Sequence, residues 1–180
     1  KVMSPQNNLV FKILTLIAWG IFIALCIEAG ALMFNFIYSL FNPIAVKNLY
    51  QNLDLSDMYN RSKPVYFFIF SLVLVIAFMK SVLFYGVIKL ISKLDLNRPF
   101  SDFVSQQITR ISYITLSIGI LSFWARQSAK NLAHRGYQIS LLENFWVDSQ
   151  AYMLMAAVIY VIAAIFKRGI ELQKENDSTI

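Results

Sequence analysis

Residues 65–88 read VYFFIFSLVLVIAFMKSVLFYGVI, and this stretch decides the fold. Lys80 is its only charge, and the part from Val65 to Met79 shows no alternation of apolar and polar side chains. A membrane-barrel strand needs that period of two, so the stretch reads as helix. At a rise of ~1.5 Å per residue it is about 36 Å long, enough to cross the roughly 30 Å hydrocarbon layer with some tilt.

Working outward, three further stretches read the same way. Phe11 to Phe41 holds a single charge after Lys12, Glu28. Ile111 to Ala125 is shorter, so Arg110 and Arg126 at its ends would have to snorkel. Ala151 to Phe166 is closed by Lys167 and Arg168, with Asp148 to Ala151 supplying the first turn. The expected spans are therefore residues 11–38, 65–88, 108–125 and 149–166, followed by a tail over 167–180. Pro43 and Pro64 bracket the first connection as a helix stop and a helix start.

Composition agrees. The chain has 180 residues, of which 58% are hydrophobic and 14% charged, and its mean hydropathy is +0.58. Soluble domains carry about a quarter charged residues. The apolar content excludes a disordered chain, and 6 Gly with 4 Pro exclude collagen-like and linker classes. The expected architecture is a single all-α domain, an integral membrane four-helix bundle with short amphipathic helices in its external loops.

Lys and Arg near the span ends set the orientation. With the N-terminus cytoplasmic, that side receives Lys1, Lys12, Lys89, Lys93, Arg98, Arg110, Lys167, Arg168 and Lys174. The other side receives six: Lys47, Arg61, Lys63, Arg126, Lys130 and Arg135. Both termini are expected inside. The net charge of +6 is scattered over span ends rather than gathered on one face, so direct nucleic-acid binding is not expected and membrane lipids are. A cleaved signal is the alternative for the first stretch, with Ala29, Gly30 and Ala31 imitating a cleavage site; its length and Glu28 speak against it. The lone Cys26 cannot form an intramolecular disulfide and reads as a buried structural thiol.

Two connections carry helical spacing. Val46, Leu49, Tyr50 and Leu53 share one helical face, as do Ile139, Leu142, Phe145 and Trp146. Each set can lie in the membrane interface or pack on the outer end of the bundle as a roof. Tyr38, Tyr50, Tyr66, Trp124, Tyr137, Trp146 and Tyr152 fall near span boundaries, as interfacial anchors do, while Trp19 lies deeper and reads as a packing residue. Gly20, Gly30, Gly86 and Gly119 read as close-packing positions.

Ionisable residues inside a span are functional candidates. Glu28 falls in the outer half of the first span and Lys80 in the inner half of the second, with an expected axial offset on the order of 10 Å. A direct pair then needs a register shift or a long reach, and Arg126 is an alternative partner for Glu28. Transport chemistry on these charges lacks repeat symmetry and broken helices. No enzyme is expected: His134 is the only histidine and lies in a loop, no metal site or cofactor motif is visible, and no Ser sits in a nucleophile elbow.

Two motifs carry a family resemblance. One is Asn97, Arg98, Pro99, Phe100, Ser101, followed by Ile108, Thr109, Arg110, Ile111. The other runs from Ile165 through Lys167, Arg168, Gly169, Ile170 and Glu171 to Asn176, Asp177, Ser178 and Ile180. With four apolar spans, the chain resembles the family called domain of unknown function 2975, small integral membrane proteins of bacteria; Ser178 stands where that family carries an apolar residue. The resemblance implies a multi-pass protein of the bacterial inner membrane with no established reaction. Members are often encoded beside a helix-turn-helix regulator, which implies a cytoplasmic regulatory partner. The motifs also have a physical reading. Pro99 stops the second helix, Ser101 caps the third, Gly169 permits a bend or close packing, and both motifs face the same side as one shared surface. The expected function is regulatory or sensory, the alternative an accessory subunit of a larger membrane complex or oligomer, and the third a small transporter.

Overall fold

The computed structural model describes residues 5–94 and 99–177. Four long helices dominate: α1 (Pro5–Phe41), α3 (Lys63–Lys93), α4 (Asp102–His134) and α5 (Ser149–Asp177), with a short α2 (Ser56–Arg61) between the first two. No strand occurs among the described residues, and all four long helices are long and apolar enough to cross a membrane.

Local chemistry sets the ends. α1 stops at Asn42, whose backbone is extended before Pro43 and whose side chain accepts from Ile44 N at 3.1 Å. Ser62 is extended ahead of α3, and Pro64 occupies its first turn, where a missing N–H costs nothing. Ser101 caps α4 as expected, its Oγ accepting from Val104 N at 3.3 Å. α4 ends in a left-handed turn at Gly136 (φ +80), where Gly136 N donates to Ala133 O at 2.8 Å and Tyr137 N to Leu132 O at 3.1 Å. That pair of bonds is a Schellman cap. His134, expected in a loop, is the last residue of α4 and is exposed. Asp148 opens α5 by accepting from Gln150 N at 3.0 Å and Ala151 N at 3.2 Å.

The helices overrun the expected spans. α4 reaches beyond both Arg110 and Arg126, which therefore sit within it rather than at its ends. α5 continues through residues 167–177, so the segment expected as a tail is helix. Nothing after Gly169 breaks it: Glu171, Leu172, Gln173, Lys174 and Glu175 are good helix formers, and Arg168 pairs with Glu171 one turn on at 2.8 Å.

Packing is serial. α1 lies on α3, α3 on α4 and α4 on α5, and extensive contacts join only these neighbours. α1 buries one narrow stripe: Phe11, Thr15, Ala18, Phe22, Leu25, Ala29, Leu32, Phe36 and Ser39 are covered or half-covered and alternate by four and three residues, with half-covered Glu28, Ala31 and Asn35 flanking them. Such alternation marks a coiled-coil-like seam. The rest of α1 is bare: 6% of its apolar window is buried, against 44% for α4. Between α4 and α5 the seam is built from small residues a heptad apart. Ser105, Ser112 and Gly119 on α4 are buried, as are Ser149, Ala156 and Ala163 on α5. Ser112 Oγ donates across the seam to Ala156 O at 2.9 Å, and a methyl group on Gly119 would meet Met153 N at 3.2 Å and Ser149 O at 3.3 Å. Small residues let helix backbones approach this closely.

The end opposite the start of α1 and the end of α5, outer in the expected orientation, is roofed. Val46, Leu49, Leu53, Leu142, Phe145 and Trp146 join the core, with Tyr50 and Ile139 packed against it. Their carriers differ from the amphipathic helices expected. Val46 to Leu53 form two 3-10 turns, Pro43–Lys47 and Tyr50–Asn52, folded back so that Leu49 N donates to Leu53 O at 3.0 Å. Gln51 and Asn52 turn the chain with φ of 58 and 59. Residues 140–145 form another 3-10 segment. Arg61 ties the two connections together, donating to Gly136 O at 2.7 Å and Arg135 O at 3.2 Å with its guanidinium 4.3 Å above the Tyr137 ring.

Several single-residue expectations are corrected. Tyr66 and Trp146, expected as interfacial anchors, are buried in the core, whereas Trp124 and Tyr38 are exposed. Trp19 is exposed rather than packed, touching Phe22 edge-on at 5.7 Å. Cys26 is exposed because it lies off the α1 stripe. Gly86 and Gly119 do mark close contacts, but nothing lies within 4 Å of a methyl group placed on Gly20 or Gly30.

Candidate functional site

Glu28 and Lys80, the two ionisable residues expected inside the spans, meet. Lys80 Nζ lies 2.7 Å from Glu28 Oε1, with side chains 16% and 20% exposed. Glu28 flanks the α1 stripe and Lys80 stands on α3, the one long helix α1 packs on. The expected offset, with Glu28 placed by its distance from Phe11 and Lys80 by its distance from Val65, was too large because α1 is longer than α3. Counted from the shared outer end, Glu28 lies thirteen residues before Phe41 and Lys80 seventeen after Lys63. The remaining difference, about 6 Å of rise, is spanned by the lysine stem. Arg126 is not the partner. It is exposed and borders a cleft with Lys130, Asp148 and Gln150 at the outer end of α4 and α5.

Beside the ion pair, α1 and α3 leave an apolar groove of about 420 Å³ lined by Cys26, Ala29, Gly30, Met33, Leu74, Val75, Phe78 and Ser81. It contains no ionisable carboxylate or amine.

The second site brings together the two sequence motifs. Phe100, just ahead of the Ser101 cap, lays its ring on Gly169 of α5, where a methyl group would come within 2.6 Å of two ring carbons. Close packing, not a bend, is thus the use of Gly169. Phe166 meets the same ring at 5.4 Å between centroids. Asp102, in the first turn of α4, accepts from Lys174 Nζ at 3.3 Å across the helix pair. Below, Val104, Ile108 and Ala163 are buried, with Leu90, Leu94, Phe103 and Phe166 packed around them. Lys89 and Lys93 hold their ammonium groups 5.9 and 5.0 Å from the Phe103 ring centre. Above the junction, a cleft of about 300 Å³ is lined by Asp102, Ser105, Gln106, Lys167, Ile170, Glu171 and Lys174.

Of the residues expected on this surface, Pro99, Phe100, Ser101, Arg168, Gly169 and Glu171 lie at the α4–α5 inner end, and Asn176 is exposed two turns beyond Gly169. Arg110 is separated from them: it borders a different cleft, between α3 and α4, with Lys89 and Gln107. Arg98 lies outside the described residues, as does Ser178. Gln107 was missed in the sequence; its signal was a polar residue one turn before Ile111 in the apolar part of α4. Among the described residues no three of His, Cys, Asp and Glu cluster as metal ligands. The α4–α5 surface offers ionic and hydrogen-bonding groups from Asp102, Ser105, Gln106, Lys167, Glu171 and Lys174.

This motif junction lies within a longer match. A family model described as "Protein of unknown function (DUF2975)" matches residues 49–180. The chain belongs to this family. The DUF2975 match starts in the first connection, so it takes in α2 to α5, both motifs and Lys80, and leaves α1 with Glu28 outside it. No curated protein and no solved structure matches the chain.

Proposed function

We propose that this DUF2975 protein is a multi-pass protein of the bacterial inner membrane, with both termini cytoplasmic, that engages a cytoplasmic regulator through the inner end of α4 and α5. The observation that carries this reading is the junction itself. Phe100 and Gly169 are sixty-nine residues apart in sequence, yet they meet at contact distance, and the Asp102–Lys174 pair spans the same seam. A lipid-facing helix end needs no such cross-chain construction. The cleft above it presents two lysines and two carboxylates to a partner of mixed charge.

Exposed ion pairs of this kind contribute little to stability, about 0–1 kcal/mol, so their value lies in surface pattern. A helix-turn-helix regulator is the partner implied by the family resemblance. The test is recruitment of that regulator to membranes carrying Lys167→Glu/Lys174→Glu: loss is expected, and unchanged recruitment by a folded variant refutes the reading. Orientation is tested separately in a Cys26→Ser background. Asn131→Cys should react with an impermeant maleimide on intact spheroplasts and Lys174→Cys should not.

A second reading, an accessory subunit of a larger membrane complex, draws on α1. Its apolar surface is largely bare away from the α3 seam and the turns of the first connection. Purification in mild detergent as a lone chain would remove that reading. Transport is disfavoured because the Glu28 carboxylate is already engaged by Lys80.

A further inference from the structure

Between α3 and α4, near the same end as the motif junction, lies a small cleft lined by Tyr85, Gly86, Lys89, Gln107 and Arg110, with Val82, Ile111 and Ile114 below. Three observations set it apart. First, its two cations have no carboxylate beside them: no Asp or Glu lines it, and neither Lys89 nor Arg110 forms an ion pair among the described residues. Second, Gln107 is 7% exposed and borders the cleft, and no hydrogen bond to its side-chain amide is present among the described residues. The amide is thus not committed to another side chain or to backbone and can serve the cleft. Third, the floor is apolar and the depth is right. Lys89 is one turn from the end of α3 and Arg110 about 12 Å along α4 from its start, which is headgroup level if the helices span a bilayer.

We infer that this cleft binds a phosphate anion, supplied by the headgroup of an anionic phospholipid whose acyl chains follow the apolar floor. Arg110 supplies the planar fork that matches phosphate oxygens, Lys89 a second positive charge, and Gln107 an N–H donor. Close contact of Gly86 with Ile111, where a methyl group would sit 3.3 Å from Cγ1, holds the two helices at the spacing that forms the cleft. Basic pockets between membrane helices on the cytoplasmic side take phosphate headgroups by this chemistry. The inference rests on the membrane placement proposed above but not on the regulator. A protein that partitions into the soluble fraction fails the placement before the cleft is tested.

The test is native mass spectrometry of the full chain released from nanodiscs of phosphatidylglycerol with phosphatidylcholine, and, separately, titration of the detergent-solubilised chain with inorganic phosphate. Wild type should retain phosphatidylglycerol over phosphatidylcholine. Lys89→Gln and Arg110→Gln should each weaken retention about fivefold and the pair about thirtyfold, from about one charge contact each. Lys89→Arg/Arg110→Lys should keep most of it, and Lys130→Gln at the other end should change nothing. Gln107→Leu, which keeps both charges, should reduce retention while leaving the fold intact by circular dichroism. If inorganic phosphate binds with the same variant pattern and displaces the lipid, the anion site stands and its source is soluble phosphate. Equal retention of phosphatidylglycerol by wild type and by a folded Lys89→Gln/Arg110→Gln variant, with no phosphate binding, overturns the inference.

Discussion

Lys80 on α3 and Glu28 on α1 form a direct ion pair at 2.7 Å, inside two helices that otherwise present only apolar and small polar side chains to each other over this length. The pair cancels two charges that are each expensive in apolar surroundings. It also pins the register of α1, whose uniformly apolar sequence would tolerate sliding by a turn.

Removing one partner therefore leaves the other without compensation. Glu28→Gln or Lys80→Met alone should destabilise the folded chain by on the order of 3 kcal/mol, whereas Glu28→Leu/Lys80→Met should recover most of that loss. Thermal unfolding in detergent, followed by circular dichroism, reads the difference. Single variants as stable as wild type would make the pair incidental.

At the inner end, the ring of Phe100 occupies the space a side chain on Gly169 would need. Gly169→Ala should cost about 1–2 kcal/mol and Gly169→Leu more, since the ring must be displaced. Phe100→Ala opens that space, so Phe100→Ala/Gly169→Ala should be less destabilised than the two single effects added together. A double-mutant cycle on unfolding free energies checks this; strict additivity would separate the two motifs.

The glycines should divide by place. A methyl group on Gly119 would lie 3.0 Å from Met153 Cγ and 3.2 Å from its backbone N, where little can yield, so Gly119→Val should cost on the order of 2–3 kcal/mol. Gly30→Ala and Gly20→Ala meet open space and should be neutral or slightly stabilising through helix propensity. The same unfolding assay compares them; equal losses at Gly119 and Gly20 would contradict the serial packing.

These contrasts show which parts of the fold were readable in advance. The four helices were legible because apolar runs of this length allow little else, and Ser101 was legible as a cap because it follows Pro99 and precedes Asp102. The side of α1 that packs was not. Its stripe of Phe11, Ala18, Leu25, Leu32 and Ser39 is no more apolar than Leu16, Ile23 or Phe34 on its bare faces, so hydrophobicity carried no direction. For the same reason Cys26 and Trp19 were misplaced. In α4 the polar residues do carry direction, since Ser105, Ser112 and Gly119 mark a seam at heptad spacing. The outer connections kept their buried side chains but carry them on 3-10 turns, and in the first of them Asn48, Asn52 and Asp54 favour turns over a regular helix.

The junction of Phe100 with Gly169 also defines where a partner would dock, and photocrosslinking tests this most directly. A photoreactive amino acid replacing Gln106, on the rim of the Asp102–Lys174 cleft, is activated in native membranes and the adducts are identified. The predicted result is a covalent adduct with a helix-turn-helix regulator that disappears in Gly169→Leu and persists in Gly20→Ala. Adducts only to lipid, or a regulator adduct unaffected by Gly169→Leu, would contradict a regulatory role for the α4–α5 surface.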